Sequence, residues 1–379
     1  MTMSALKGIF RQIGAPRLGQ RIQLDALVDK TFVPAVLVLL VVYLGSTNPE
    51  FLSRMNITNV LTQASILAIV SFGMTFVIIA GQLDLSMGSA SALISVLGAM
   101  VIVRTGSGVQ GVMVCLLLGL LIGLFNGAVV TLLEVPSFIA TLGTMIIASA
   151  IALALTNGGV VTGLPAGFRT LSTLRFAGLP ALVWITVAVF LLLSWLQRQT
   201  VFGYQVLAVG GNREAARLSG ISVARVTMLV FLISGVTIAL AGIALLIRVQ
   251  SGQPNANATL ALEAIAAVVV GGTSLSGGRG SVVRTLWGVL LIAVLRNGLE
   301  ISGVDEDYKN IVVGAVLILA ASVDFLRRRL GRARHASSTA AESDAVNNTA
   351  AARDAATEDP TVEVCQPVNA DADRHSHSA

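Results

Sequence analysis

Hydrophobic positions in this chain fall in long unbroken blocks, not in the stripes of an amphipathic soluble helix. From Phe32 to Phe325, apolar runs follow one another with short polar breaks between them. The first is Phe32–Leu44, and further blocks occupy about 59–81, 86–103, 109–133, 137–156, 178–196, 226–247, 262–276, 281–303 and 309–326. A helix needs roughly 20 residues to cross the hydrocarbon core, so the shorter blocks are expected to be tilted, broken or partly re-entrant. The pattern predicts an all-α membrane protein with about ten transmembrane helices. Phe32–Leu44 has the size of a signal-peptide core, but a polar lead-in of about thirty residues is too long for one, and it reads as the first span.

The longest basic, helix-capable interruption is residues 197–225. Asn212 suits an N-cap, and Glu214 in the first turn meets the positive end of a helix dipole. Ala215, Ala216, Arg217 and Leu218 propagate a helix, and Gly220 can take the left-handed conformation that ends it. Such a helix is either a solvated connector or a handle for a soluble partner.

Composition and charge sharpen this picture. Hydrophobic residues make up 55% of the chain and charged residues 12%, against about 25% charged in soluble proteins, and the mean hydropathy is +0.83. With the N-terminus inside, the cytoplasmic segments carry 16 basic residues near the spans, Arg198, Arg213, Arg217 and Arg225 among them. The other side carries 6: Arg54, Arg104, Arg169, Arg175, Arg248 and Lys309. That bias places both termini in the cytoplasm and favours an even number of spans. The net charge of +5 is spread over several loops, so it describes topology and not affinity for nucleic acid. Residues 1–30 form a basic segment whose Leu6, Ile9, Phe10 and Ile13 suit a surface helix or a disordered tail. Residues 331–379 are polar and Ala-rich and read as a disordered cytoplasmic tail. Cys115 and Cys365 lie in different environments, and His335, His375 and His377 all fall in the tail, so neither a disulfide framework nor a metal site follows.

Two Gly/Ser-rich breaks resemble one another: 81–88 (GQLDLSMG) and 271–278 (GGTSLSGG). Asn126-Gly127 and Asn297-Gly298 form a second pair, each followed at the same distance by Gly143 or Gly314. These matches suggest an internal duplication, inverted in the membrane as in many transporters, although the two pairs do not share one offset. No G-x-x-x-x-G-K-[ST] occurs, so the glycines of 271–280 are not a Walker loop and serve a tight turn or close packing. Polar residues near membrane depth are Asp84, Asn126, Glu134, Asn157, Glu263, Asn297 and Glu300. Four are candidates for the translocation path, each with a structural alternative. Asp84 would cap a half-helix, Asn126 and Asn297 would bond neighbouring helices, and Glu263 would be a first-turn acid. No catalytic constellation is present, and no cofactor is called for.

Four stretches then carry a resemblance. They are Gly73–Gly88 (GMTFVIIAGQLDLSMG), Val135–Gly143 (VPSFIATLG), Gly211–Ile221 (GNREAARLSGI) and Glu263–Gly280 (EAIAAVVVGGTSLSGGRG). Over about residues 35–326 the chain resembles the membrane permease subunits of bacterial ABC sugar importers, the group of ribose, xylose and galactoside permeases. The resemblance implies a permease domain over 31–326, working as a pair of permease subunits in the bacterial inner membrane. It also implies cytoplasmic ATPase subunits and a sugar-binding protein as partners. Glu214, Ala215, Ala216 and Gly220 match the motif of import permeases whose short helix docks on the ATPase. Gln82 stands where the sugar group has glycine, which leaves the substrate open. An ion-coupled secondary transporter and an ABC permease for branched-chain amino acids are the alternative readings.

Overall fold

The computed structural model describes residues 18–256, 259–305, 307–319 and 322. The amphipathic stretch before residue 18 and the tail 331–379 lie outside the described residues, as does most of the predicted span beyond 319. Everything described here belongs to one unit that ends at Asp324.

Eleven helices organise it: α1 (Leu18–Thr47), α2 (Arg54–Ile79), α3 (Met87–Thr105), α4 (Gly108–Leu132), α5 (Ser137–Thr156), α6 (Ala181–Gln199), α7 (Val201–Gly211), α8 (Arg213–Leu218), α9 (Val223–Val249), α10 (Leu260–Val270) and α11 (Val282–Ile301). A further helical stretch covers residues 307–319. The sole strands among the described residues are β1 (Arg175–Phe176) and β2 (Leu179–Pro180), a two-residue antiparallel pair in the α5–α6 connection. Among the described residues, α2, α3, α4, α5, α6, α9 and α11 are long and apolar enough to cross a membrane. The chain is an all-α membrane protein.

The core sits around α2 and α9. Helix α2 packs on α6, α9, α10 and α11, and from Ala64 to Ile79 every residue of it is buried. Helix α9 in turn packs against α3 and α4. In lipid there is no hydrophobic drive between helices, so association depends on close approach and on hydrogen bonds. Both are visible. Gly119 and Gly123 of α4 lie backbone-to-backbone against Gly235 and Phe231 of α9, with no room for a Cβ on either glycine. Thr75 of α2 and Thr285 of α11 share a buried hydrogen bond of 2.8 Å. Large apolar side chains on the outer helices, such as Leu117, Leu121, Ile146 and Leu191, remain exposed, as befits a surface that lipid covers.

Two contacts fix helix directions. Asn56, in the first turn of α2, pairs with Asn297 near the end of α11, while the N–H of Gly278, just before α11, donates to Ile79 at the end of α2 at 2.8 Å. Helices α2 and α11 are therefore antiparallel. The end of α2, the start of α11 and both Gly/Ser-rich breaks share one face, here the break face. The start of α2 and the end of α11 define the far face.

The structure corrects four sequence expectations. The block 262–276 is no full span: α10 stops at Val270, and its eleven residues reach about 16 Å, roughly half the hydrocarbon core. Residues 197–225 are less of a polar loop than their charge implies, because Val206 and Val209 bury one side of α7 against its neighbours. The first apolar block belongs to a longer helix, since α1 runs from Leu18 through Pro34 to Thr47, with Thr31–Thr47 as its apolar part among the described residues. Finally, the breaks 81–88 and 271–278 lie on the same face and touch, so they are not counterparts in an inverted repeat. The Asn126 and Asn297 pair does sit at opposite faces on antiparallel helices, the placement an inverted repeat requires.

The α4–α9 contact makes a prediction. Gly119→Ala puts a methyl into the Gly235 carbonyl and should cost about 1–3 kcal/mol, as overpacking does. Gly143→Ala, which meets nothing within 4 Å, should leave the thermal transition in detergent unchanged or slightly raised.

Candidate functional site

The far face holds a polar cavity of about 460 Å³. Its wall comes from four helices and their connections: Gln63 of α2, Arg248 at the end of α9, Glu263 of α10, and Arg296 and Glu300 of α11, with Asn255, Thr259, Lys309 and Asn310 from the connections and the helical stretch 307–319. Ile66, Leu67, Leu260 and Ala293 supply the apolar part.

The half-length of α10 creates this space. Because α10 begins only at Leu260, Asn255 and Thr259 line the cavity where further turns of helix are missing. Glu263 falls in the first turn of α10, where the dipole favours a carboxylate. It accepts the Thr259 hydroxyl at 2.7 Å and forms an ion pair with Arg296. On α11, Glu300 follows Arg296 by one helical turn and accepts Gln63 Nε2 at 3.4 Å. The wall thus carries charges of both signs, three cations (Arg248, Arg296 and Lys309) and two carboxylates (Glu263 and Glu300), with Glu263 and Arg296 paired. Such a wall presents both donors and acceptors to hydroxyl groups. No group of three or more metal-capable side chains occurs among the described residues.

Of the four path candidates, Glu263 alone lines this cavity. Asn297 is 3% exposed and exchanges two hydrogen bonds of 2.9 Å with Asn56, joining α11 to α2. Asp84 and Asn126 lie on the break face in one chain of bonds. Asp84 accepts the Ser86 N–H at 3.0 Å, the Ser86 hydroxyl at 2.5 Å and the Ser234 hydroxyl at 2.5 Å. Asn126 donates to Ser86 Oγ at 3.1 Å and accepts from Thr144 at 2.6 Å. This network ties α9, the 81–86 break, α4 and α5. The break's own backbone is served by α5, where Ser137 accepts the Leu83 N–H and Thr141 the Leu85 N–H, each at 3.1 Å. A buried carboxylate is tolerable only when so fully bonded.

The motif residues cluster beside these breaks. Asn212 Oδ1 accepts the N–H groups of Glu214 and Ala215, each at 3.0 Å, and caps α8. Gly220, at φ +82°, closes it, with the Ile221 N–H returning to Ala216 at 3.0 Å. Ala216 is buried beneath the helix, whereas Glu214, Ala215, Leu218 and Gly220 are exposed. Arg217 bonds Glu214 at 2.6 Å and holds its carboxyl below the ordinary glutamate value. A lowered folded-state pKa means that the pair is complete at neutral pH. It is lost only as pH falls below the usual range of about 4.3.

Immediately before α8, the end of α7 reaches both breaks. Gly210 lies against the Ile79 carbonyl and Gly277, and Gly211 against Gly278, with no space for a Cβ on Gly210 or Gly278. Gly81 completes the cluster beside Gly277.

A polar cavity beside a half-length helix, and a capped short helix joined to two breaks, form the polar framework of the chain, and comparison with known proteins says what kind of chain carries it. Residues 56–321 match the family model described as branched-chain amino acid transport system / permease component. The ribose import permease protein RbsC of Bacillus subtilis is 41% identical over 310 residues, covering 80% of this chain and 95% of that protein. The chain belongs to this permease family. The L-arabinose ABC transporter permease protein AraH of Azospirillum brasilense is 33% identical (81% of this chain, 91% of that protein), and so is the xylose transport system permease protein XylH of Escherichia coli K12 (78% and 91%). No solved structure matches the permease.

Sequence reasoning missed most of the cavity wall, Gln63, Arg248 as a lining residue, and Arg296 among them. Arg296 carried a usable signal, because a cation inside an apolar block needs a partner, and Glu263 and Glu300 were the acids within reach. A double-mutant cycle tests the ion pair. Glu263→Gln and Arg296→Gln should each destabilise the permease in detergent, and the double variant should recover part of the sum. The coupling expected is about 1–3 kcal/mol, below the value for a fully buried pair because Arg296 is partly exposed.

Proposed function

We propose that this permease forms the path by which a neutral monosaccharide crosses the bacterial inner membrane, driven by ATP hydrolysis in a separate subunit. The observation that carries this reading is the far-face cavity: a polar wall rich in donors and acceptors, large enough for a monosaccharide, in a chain whose relatives include ribose, arabinose and xylose permeases. Its carboxylates, guanidinia and amides suit vicinal hydroxyls, which both donate and accept. Among the described residues no aromatic side chain lines it, so these residues offer the sugar no stacking surface and would hold it loosely, as a site of passage should.

The charge bias of the connections supports the break face as the cytoplasmic one, since Arg198, Arg213, Arg217, Arg225, Arg279 and Arg284 all lie there. In that orientation the cavity faces a sugar-binding protein outside, and α8 faces the ATPase inside. Glu214, Ala215, Ala216 and Gly220 form the coupling helix. A second permease subunit completes the assembly, with lipid around the pair. ATP-dependent alternation between two helix packings then opens one end as it closes the other.

Branched-chain amino acids are the second reading, favoured by the family description. A zwitterion would find partners in Glu300 and Arg248, and its apolar side chain in Ile66, Leu67, Leu260 and Ala293.

Uptake by the permease co-expressed with its ATPase and binding protein decides between them. A pentose should be taken up, leucine should not, and uptake should depend on ATP and persist when the proton gradient is dissipated. Arg248→Ala and Glu300→Ala should each reduce sugar uptake about tenfold or more through lost polar contacts. Gly220→Val, which forces a branched residue into the left-handed region, should abolish uptake while leaving membrane insertion intact. Leucine uptake, or uptake that collapses with the proton gradient at constant ATP, would overturn the reading.

A further inference from the structure

The last turn of α6 carries a glutamine with no part in the cavity or in the coupling motif. Gln197 is 5% exposed, and its amide points at the break before α11. Its Nε2 donates to the Gly280 carbonyl at 3.1 Å, and its Oε1 accepts the Val282 N–H at 2.9 Å. These two backbone groups flank Ser281, the N-cap of α11, whose own side chain makes no capping bond. The first N–H groups of a helix have no partner within it. Here one of them is capped from another helix, and the same amide holds the carbonyl on the other side of the cap. Only a primary amide supplies both a donor and an acceptor at that length.

A second observation places this amide in a larger clamp. Helix α7 begins at Val201, with Thr200 alone between it and the end of α6 at Gln199, and Gly203 packs on the Gln197 carbonyl without room for a Cβ. The Thr200 hydroxyl caps that corner by accepting the Gly203 N–H at 3.3 Å. At the other end of α7, Gly210 presses on Ile79 and Gly277. The segment from Gln197 to Asn212 is therefore fastened to the α10–α11 break at both ends, and α8 follows it directly.

We propose that Gln197 is a positioning residue that fastens the coupling segment to the start of α11, so that displacement of α8 is transmitted along α11 to Arg296 and Glu300 in the cavity wall. The proposal rests on the coupling reading of α8. It assigns to Gln197 the transfer of motion and not contact with sugar or ATPase.

The test uses the permease assembled with its ATPase and binding protein in proteoliposomes. Gln197→Leu, of similar size but without polar atoms, should keep ATP hydrolysis while sugar moved per ATP falls about tenfold, within the range of a lost coupling free energy. Amide exchange at Val282 should rise about tenfold with the lost hydrogen bond, while exchange in α9 stays unchanged. Gln197→Glu keeps the acceptor for Val282 but not the donor for Gly280, and should show an intermediate coupling ratio with Val282 still protected. A coupling ratio equal to wild type in both variants would overturn the proposal. So would exchange that rises in α9 together with Val282 in both, since that marks general loosening. Uptake by the unmodified assembly that needs no ATP would overturn the permease reading and the proposal together.

Discussion

The structure depends on one constraint: a chain that breaks its helices within or near a membrane must find partners for the freed backbone groups inside the protein. Both breaks meet it by the same means. The 81–86 break takes hydroxyls from Ser137 and Thr141 and the carboxylate of Asp84. The 271–281 break takes the Ile79 carbonyl and the Gln197 amide. Close approach then requires glycine, because Gly210 and Gly278 meet backbone and not side chains. An alanine at either would push apart two breaks and the handle at once.

The same breaks connect the cavity on one face with α8 beside the other. The late start of α10 at Leu260 leaves room for the cavity, and its end at Val270 leads into the break. Between the cavity and the break, Gly288 of α11 packs on the Ala267 carbonyl of α10. Helix α11 spans the whole distance, with Gln197 at its start and Arg296 and Glu300 near its end. A rigid helix held at both ends is a means of making one end respond to the other.

Much of the fold was legible from hydrophobic blocks alone, since lipid enforces them and seven blocks correspond to long helices. The α8 helix was legible too, because Asn212, Glu214 and Gly220 are local signals that need no tertiary partner. The half-length of α10 was not, since a run such as Leu260–Val270 followed by Gly271-Gly272 can be a broken helix or a continuous one with glycines. Nor was the sorting of the polar candidates. Asp84, Asn126 and Asn297 are buried in hydrogen-bond networks, and only Glu263 meets the cavity, a distinction set by contacts up to 241 residues apart in the chain. Gln197 and Arg296 went unnoticed because their partners are distant backbone and a distant acid.

The central claim is that the far-face cavity is one end of a path opened and closed by the ATP cycle. The direct measurement is labelling of Asn255→Cys by a membrane-impermeant maleimide, in the assembled transporter with Cys115 and Cys365 replaced by serine. The account predicts rapid labelling without nucleotide and protection once the ATPase is trapped in its ATP-bound form, with the change lost when Gly220 is replaced by valine. Equal labelling in both states would show that the cavity does not take part in alternating access, and would contradict the account.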